Sequence, residues 1–398
     1  MACRKTHCSV WNSTRYSAFS CKPFWGKCSA DFVPLSTEYP VLRKLHLCNR
    51  RRKQVDNTIY LKLMADTMKE PSMDSAITGS ILRKLVLGVP GMERWEEVEE
   101  FFPDTQDEIR LDWQLPGIAC SAVGGQFDAV FPAMAAIACV QVSIIMVDDM
   151  LDEEPDGAHH RIGIGRTANL ALALQAAGAV LIENCQASPA GKAAAAYALN
   201  RMALATASGQ EMDVRNLSGE ENYWQVVRAK STPFYGTGLE IGALLGGASP
   251  EMAQVMYNVG VLFGEAIQIY DDLEDAFQSP ANSDWAQGRN NLALLYGLTA
   301  DYPAKEEFLH YKQLADDLPS LHKAQQLLIG SGAVAYCAFQ LLQRHTAVQR
   351  SLHSVSLRRQ ERMDHLLKMQ LAPFTEFVRE IDEKLADLIQ EEISHTEP

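Results

Sequence analysis

Apolar residues recur at three- and four-residue intervals along the chain from residue 56 to its end, and the alternating Val, Ile and Thr runs that mark strands are scarce. The pattern predicts an all-α fold, a large helical bundle. Helices are expected near 56–70, 74–88, 93–102, 126–153, 167–186, 190–216, 220–246, 250–277, 291–299, 303–315, 319–329, 332–353, 357–371 and 373–394. Breakers such as Pro71, Pro90-Gly91, Pro103, Pro116-Gly117, Pro155-Asp156-Gly157, Ser188-Pro189, Pro250 and Pro280 divide them. Stretches 170–182 and 239–245 are nearly free of charge on most faces, which places their helices in the middle of the bundle. Residues 129–147 carry no charge and are long enough to span a bilayer. Pro132, Gln141 and Ser143 within them, and the acids that follow, make this a buried core helix rather than a transmembrane segment.

Composition adds two constraints. With 47% hydrophobic and 22% charged residues among 398, the chain has ample core material, and a net charge of −14 argues against nucleic acid as a partner. Residues 1–53 hold eleven Lys and Arg against only Asp31 and Glu38, leaving about −23 on the remainder. That asymmetry predicts two parts: a basic extension over 1–55, poorly ordered or a targeting segment, and a catalytic domain over 56–398. Five of the nine cysteines fall in the extension without metal-site spacing, while Cys120, Cys139, Cys185 and Cys337 sit singly in apolar helical surroundings. Buried thiols suit a reducing, cytoplasmic location, with organellar import through the basic segment as the alternative.

The chemistry lies in two acidic clusters with the same grammar. Asp148, Asp149 and Asp152 form DDMLD after the apolar IIMV, and Asp271, Asp272 and Asp275 form DDLED after AIQIY. On a helix, positions i and i+4 share a face, so each trio projects carboxylates to one side of a helix end, where like charges repel. A single such motif reads as a solvated helix end, but two copies more than a hundred residues apart, each closing an apolar helix, call for a cation between them. Mg2+ is the natural candidate, because it takes oxygen ligands and is held by a few carboxylates together with substrate phosphates. The acidic clusters are therefore expected to hold a diphosphate through the metal.

At these residues the chain resembles the polyprenyl synthetase family, the trans-isoprenyl diphosphate synthases. The resemblance implies an all-α bundle with two DDxxD motifs on facing helices, three Mg2+ ions, an allylic prenyl diphosphate substrate and a homodimer. It extends beyond the aspartates. Gly209-Gln210-Glu211-Met212-Asp213 is similar to the family's GQ-x-x-D segment, and Tyr223 with Lys230-Ser231-Thr232 to its Y…KT segment. Gly264 to Asp272 matches G-x-A-F-Q-I-x-D-D except for Ile267, and Asp284 with Gly288-Arg289-Asn290-Asn291-Leu292 occupies the place of D…GK-x-T. The likeness covers about residues 75–350. It implies metal-binding and catalytic roles for the six aspartates, a catalytic and diphosphate-binding role for Lys230, and diphosphate contacts from Arg161, Gln210, Gln268 and Arg289. The implied chemistry is ionisation of an allylic carbon–oxygen bond beside an apolar pocket that excludes water. Ser143, Ile144, Val140 and Ile137 place no aromatic plug below the first motif, which leaves room for a long prenyl chain.

One stretch departs from the family. Chain-elongating members carry a basic GGKR-x-RP segment before the first motif to bind isopentenyl diphosphate, and the corresponding stretch here reads as Gly124-Gly125-Gln126-Phe127-Asp128-Ala129-Val130-Phe131-Pro132, without a cation. Charge-assisted hydrogen bonds contribute about 1.5–3 kcal/mol each, so the loss is severe. His159-His160-Arg161 replaces the usual Arg pair after the first motif, and Gln141 remains from the co-substrate site. The expectation is a terpene synthase that ionises farnesyl or geranylgeranyl diphosphate and lets the cation cyclise. The alternatives are a chain-elongating geranylgeranyl or farnesyl diphosphate synthase, with cations from Arg161, Arg166 or the basic extension, and a non-catalytic regulatory subunit.

Overall fold

The computed structural model describes residues 77–396 except Asn216 and residues 288–290. The expected basic extension, the helix at 56–70 and Arg289 lie outside the described residues. Helices α1 (Gly79–Leu87), α2 (Val98–Phe101), α3 (Leu111–Ala122), α4 (Phe131–Leu151), α5 (Ala158–Ile162), α6 (Ile164–Glu183), α7 (Pro189–Val214), α8 (Glu220–Lys230) and α9 (Thr232–Leu245) form the first half. The second half contains α10 (Pro250–Ala276), α11 (Ser283–Gln287), α12 (Leu292–Thr299), α13 (Lys305–Lys312), α14 (Leu318–Gly330), α15 (Ala333–His353), α16 (Glu361–Ile381) and α17 (Glu383–Thr396). Among the described residues there is no strand, only one isolated bridge between Thr78 and Glu108. The all-α expectation holds.

The uncharged run becomes α4, in which every residue from Ala133 to Val140 is at most 1% exposed. Its small side chains let α3, α6 and α7 pack around it. Residues Asp128–Leu151 and Ile164–Glu183 are each long and apolar enough to cross a membrane, but 67% of the first apolar stretch is buried in the bundle, against 39% of the second. α9 packs against α3, α7 and α10, and glycine sets the spacing. A Cβ on Gly242 would stand 2.1 Å from the Pro116 carbonyl oxygen, and one on Gly260 of α10 would stand 2.4 Å from the Tyr235 carbonyl oxygen. Ser188 and Ser249 cap α7 and α10, each followed by proline at the first helical position, as the sequence signals indicate.

Four boundaries differ from expectation. Pro116-Gly117 is not a breaker: it lies inside α3, where Pro116 and Gly117 are both buried and a Cβ on Gly117 would collide with Met134 and Phe127. Tight packing against α4 and α9 outweighs the lost backbone bond. The expected helix 220–246 breaks at Ser231, because Pro233 opens a new helix there. Pro373 sits within α16, and the break falls instead at Asp382, whose extended backbone ends α16 and whose carboxylate accepts the Leu385 N–H at 3.1 Å. Short α5 and α11 carry too few residues for periodicity to reveal them.

Candidate active site

The apolar column of α4 ends in Asp148, Asp149 and Asp152, and α10 ends in Asp271, Asp272 and Asp275. Both trios sit at helix C-termini, where the macrodipole already disfavours negative charge. The α4 terminus is also strained: Glu153 adopts a left-handed φ of 54°, which lets the Glu154 N–H reach the Asp149 carbonyl at 3.0 Å and close the helix. Lys230 Nζ lies 3.1 Å from Asp148 Oδ1 and 2.6 Å from Asp213 Oδ2. Burial would lower the Lys230 ammonium, but these two carboxylates outweigh it and hold it above the usual lysine value. Burial raises Asp148 despite Lys230. It raises Asp149 too, aided by Asp148 and Glu154 and opposed by His159.

In the second trio the two adjacent aspartates have different settings. Asp272 is 4% exposed, accepts Gln268 Nε2 at 2.8 Å and the Leu292 N–H at 2.8 Å, and is pushed up to about 7 by burial, which those bonds oppose. Asn291, wholly buried, caps α12 and donates to the Asp272 carbonyl at 2.7 Å and to Asp284 Oδ2 at 3.0 Å. Asp271 is accessible to solvent yet surrounded by the bundle, and burial together with Asp272, Glu274 and Asp275 pushes it up to about 8. Arg110 lies close enough to oppose that rise.

The break at Ser231 joins the two trios. Lys230 reaches Asp148, while the next residue, Ser231, donates to Gln268 Oε1 at 2.9 Å, and Gln268 in turn holds Asp272. Two consecutive residues therefore bridge both acidic helix ends. Gln210 is buried nearby in sequence terms on α7, one turn before Asp213, with an amide nitrogen that has no hydrogen-bond partner. Arg161 pairs with Glu100 at 2.6 Å and Arg166 with Glu97 at 2.6 Å, tying α5 and α6 to α2. Among the described residues, no three Asp, Glu, His or Cys side chains converge as a preformed metal site. A separate cavity of about 190 Å³, lined by His345, His353, Asp364 and Lys368 among others, shares no residue with either trio.

The reading of GGQFDAVFP does not survive. The segment lies at the start of α4, where Gly124 contacts the Arg358 side chain and Gly125 contacts Cys120 and Gly246. At 1.5 Å per residue, that is about 25 Å along the helix from Asp148. Its lack of cations therefore carries no information about a co-substrate. Arg110, Asp112 and Trp113 at the start of α3, which the sequence reading missed, meet Gln141 of α4, which it named, and Arg110 acts on Asp271. Treating Pro116-Gly117 as a breaker hid the helix that positions them.

The sequence profile of polyprenyl synthetases matches residues 117–327. The chain belongs to the polyprenyl synthetase family. It is similar to the geranylgeranyl diphosphate synthase of Methanosarcina mazei, with 25% identity over 193 residues, 45% of this chain and 60% of that protein. The geranylgeranyl pyrophosphate synthase of Geoglobus acetivorans is 26% identical over 192 residues, again 45% of this chain and 60% of that protein. The chain thus matches less than two thirds of these relatives' length. Polyprenyl synthetase folds superimpose on it more widely. The Pyrococcus horikoshii geranylgeranyl pyrophosphate synthetase aligns with a TM-score of 0.63 at 18% identity, covering 74% of this chain and 94% of that one. A Caulobacter crescentus polyprenyl synthase, solved with calcium and isoprenyl diphosphate, gives 0.60 at 18% identity, covering 73% and 93%.

Proposed function

We propose that this member of the polyprenyl synthetase family is a Mg2+-dependent prenyltransferase that ionises an allylic prenyl diphosphate of farnesyl or geranylgeranyl size. The observation that carries the proposal is the bridge of Lys230 and Ser231 between two acidic helix ends. Asp148, Asp149, Asp152, Asp271, Asp272 and Asp275 fit Mg2+ as hard oxygen donors, and the upward shifts of Asp148, Asp149, Asp271 and Asp272 mark carboxylates that lack a sufficient counter-charge. An open set of carboxylates suits an ion that keeps waters and phosphates in its shell. When bound, Mg2+ neutralises the diphosphate and stabilises the charge it gathers as the carbon–oxygen bond breaks. Lys230 is the cation placed to share that charge. Ile145 and Val147, left 44% and 41% exposed within a turn of the acids, offer apolar surface with no nucleophile.

Chain elongation with isopentenyl diphosphate is the favoured outcome, supported by the names of the relatives. Cyclisation is the second reading. It is favoured by one observation, the hold of Asp112 on Arg110, a cation that acts on Asp271. The test is to incubate purified protein and Mg2+ with each allylic diphosphate, with and without isopentenyl diphosphate, and to analyse both hydrocarbon extracts and diphosphates. Longer diphosphates that appear only with isopentenyl diphosphate support elongation, and hydrocarbons or alcohols formed without it support cyclisation. Homodimerisation belongs to the same proposal. Leu172 and Val180 of α6 and Tyr197 and Leu204 of α7 are 66%, 43%, 69% and 71% exposed, an apolar face suited to a second copy.

A further inference from the structure

Glu265 lies in the interior of α10 with a side chain 4% exposed, one turn before Gln268 and two turns before Asp272 on the same helix face. Its two oxygens are taken by arginines from two other helices. Oε1 accepts Arg228 Nε of α8 at 2.7 Å, and Oε2 accepts Arg344 Nε of α15 at 2.9 Å. Arg344 is 11% exposed, and its guanidinium carbon stands 4.1 Å from the centre of the Trp224 ring of α8. The start of α8 is tied to α15 as well, because Glu220 accepts the Trp224 indole N–H at 3.1 Å and the Tyr336 hydroxyl. A buried carboxylate between two guanidinium groups is a weak source of stability, since desolvation offsets most of the attraction.

The other end of α8 is where an anchor is needed. Pro233 has no N–H to continue the helix, so the chain crosses the break on two bonds: the Ser231 N–H to the Val227 carbonyl at 3.0 Å, and the Thr232 hydroxyl to the Arg228 carbonyl at 3.1 Å. Arg228 is thus held to α10 by its side chain and to the break by its carbonyl. Lys230 follows two residues later, and Ser231 meets Gln268 one turn along α10 from Glu265. We propose that Glu265 is a positioning residue: through Arg228 it sets the end of α8 against α10, so that Lys230 reaches Asp148 while Ser231 holds Gln268. Without it the end of α8 shifts and Lys230 leaves the first trio. The placement of Lys230 stands on this geometry alone, and only its consequence for turnover rests on the prenyl diphosphate reading.

Two readouts keep these apart. In the metal-free full chain, acylation of Lys230 by acetic anhydride is followed by peptide mass spectrometry, with the half-buried Lys312 of α13 as internal reference. Glu265→Ala and Arg228→Ala are each expected to raise acylation of Lys230 relative to Lys312 by about fivefold or more, and the double variant to raise it no further. In turnover of the allylic diphosphate with Mg2+, both are expected to lower kcat about tenfold or more while KM stays within about twofold. Glu265→Gln, whose amide oxygen still accepts Arg228 Nε, is expected to stay within about threefold of the unaltered protein in both readouts. Arg228 is 56% exposed, so Arg228→Ala carries the test if circular dichroism shows that Glu265→Ala does not fold. Unchanged acylation of Lys230 in the folded variants, a rise matched by Lys312, or a Glu265→Gln variant as impaired as Glu265→Ala overturns the proposal. An unaltered protein that turns over no prenyl diphosphate counts against the prenyl diphosphate reading and leaves the acylation result standing.

Discussion

Neighbouring aspartates of one motif should fail differently when truncated. Asp272→Ala removes the acceptor for Gln268 Nε2 and for the Leu292 N–H, both at 2.8 Å and buried. Hydrogen bonds to a charged group contribute about 1.5–3 kcal/mol each, and release of a buried carboxylate offsets part of their loss, so the net destabilisation is about 2–3 kcal/mol. For a domain of this size, roughly 1.5–2 °C per kcal/mol, the melting temperature in EDTA should fall by about 3–6 °C. Asp271→Ala removes a carboxylate whose ionised form is opposed by burial and by Asp272, Glu274 and Asp275, and it should leave the melting temperature unchanged or raise it. Both variants should lose the stabilisation that Mg2+ gives the unaltered protein. The assay is scanning calorimetry in EDTA and then in Mg2+. Equal destabilisation by the two substitutions, or a full Mg2+ response in either variant, would refute the reasoning that Asp272 anchors Gln268 and α12 as well as serving the metal, whereas Asp271 serves the metal alone.

Lys230→Met leaves Asp148 and Asp213 without their shared cation and should destabilise the metal-free protein by about 2 kcal/mol in thermal unfolding, a loss that Mg2+ largely restores. Glu153→Gly relieves a left-handed φ of 54° and should stabilise the protein by about 1 kcal/mol, measured by urea denaturation. Asp271 and Asp272 are raised to about 8 and about 7, so the folded protein keeps protons that the unfolded chain has already released near pH 4. Metal-free stability should therefore fall as pH rises from about 4 to about 8, while Mg2+, which displaces those protons, binds more tightly over pH 7–8, as melting curves with and without the ion can record. Leu204→Glu places a charge on an exposed apolar face and should shift sedimentation from dimer to monomer without lowering helical content by circular dichroism.

The helical period and the uncharged run over 129–147 were enough to place α4 and its acids, because a helix apolar on all faces has only the bundle interior to occupy. The paired trios stood out because acids at the ends of apolar helices conflict with local preference, and such conflicts point to function, whereas Lys230 and Gln268 came only from the resemblance to the family. The misreading of GGQFDAVFP has an equally physical origin. Proline was taken as a stop signal at Pro116, yet close packing of Pro116 and Gly117 against α9 and α4 carries the helix through, so the antiparallel partner of α4 went unseen. Arg110 and Asp112 gave no sequence signal beyond opposite charges two positions apart. Their meaning depends on Gln141, twenty-nine residues away from Asp112, which only the tertiary structure brings to them. Asn291 was visible as part of a motif, but its bonds to the Asp272 carbonyl and to Asp284 were not.

Both acidic helix ends are expected to act together on one diphosphate. Pyrophosphate release from farnesyl and geranylgeranyl diphosphate, measured for the unaltered protein, Asp148→Asn and Asp271→Asn with and without Mg2+, tests this. Release that requires Mg2+ and falls by at least about a hundredfold in each variant is the expected result, a loss of roughly 3 kcal/mol in transition-state stabilisation. Release that proceeds without a divalent ion, or persists in either folded variant, would contradict it.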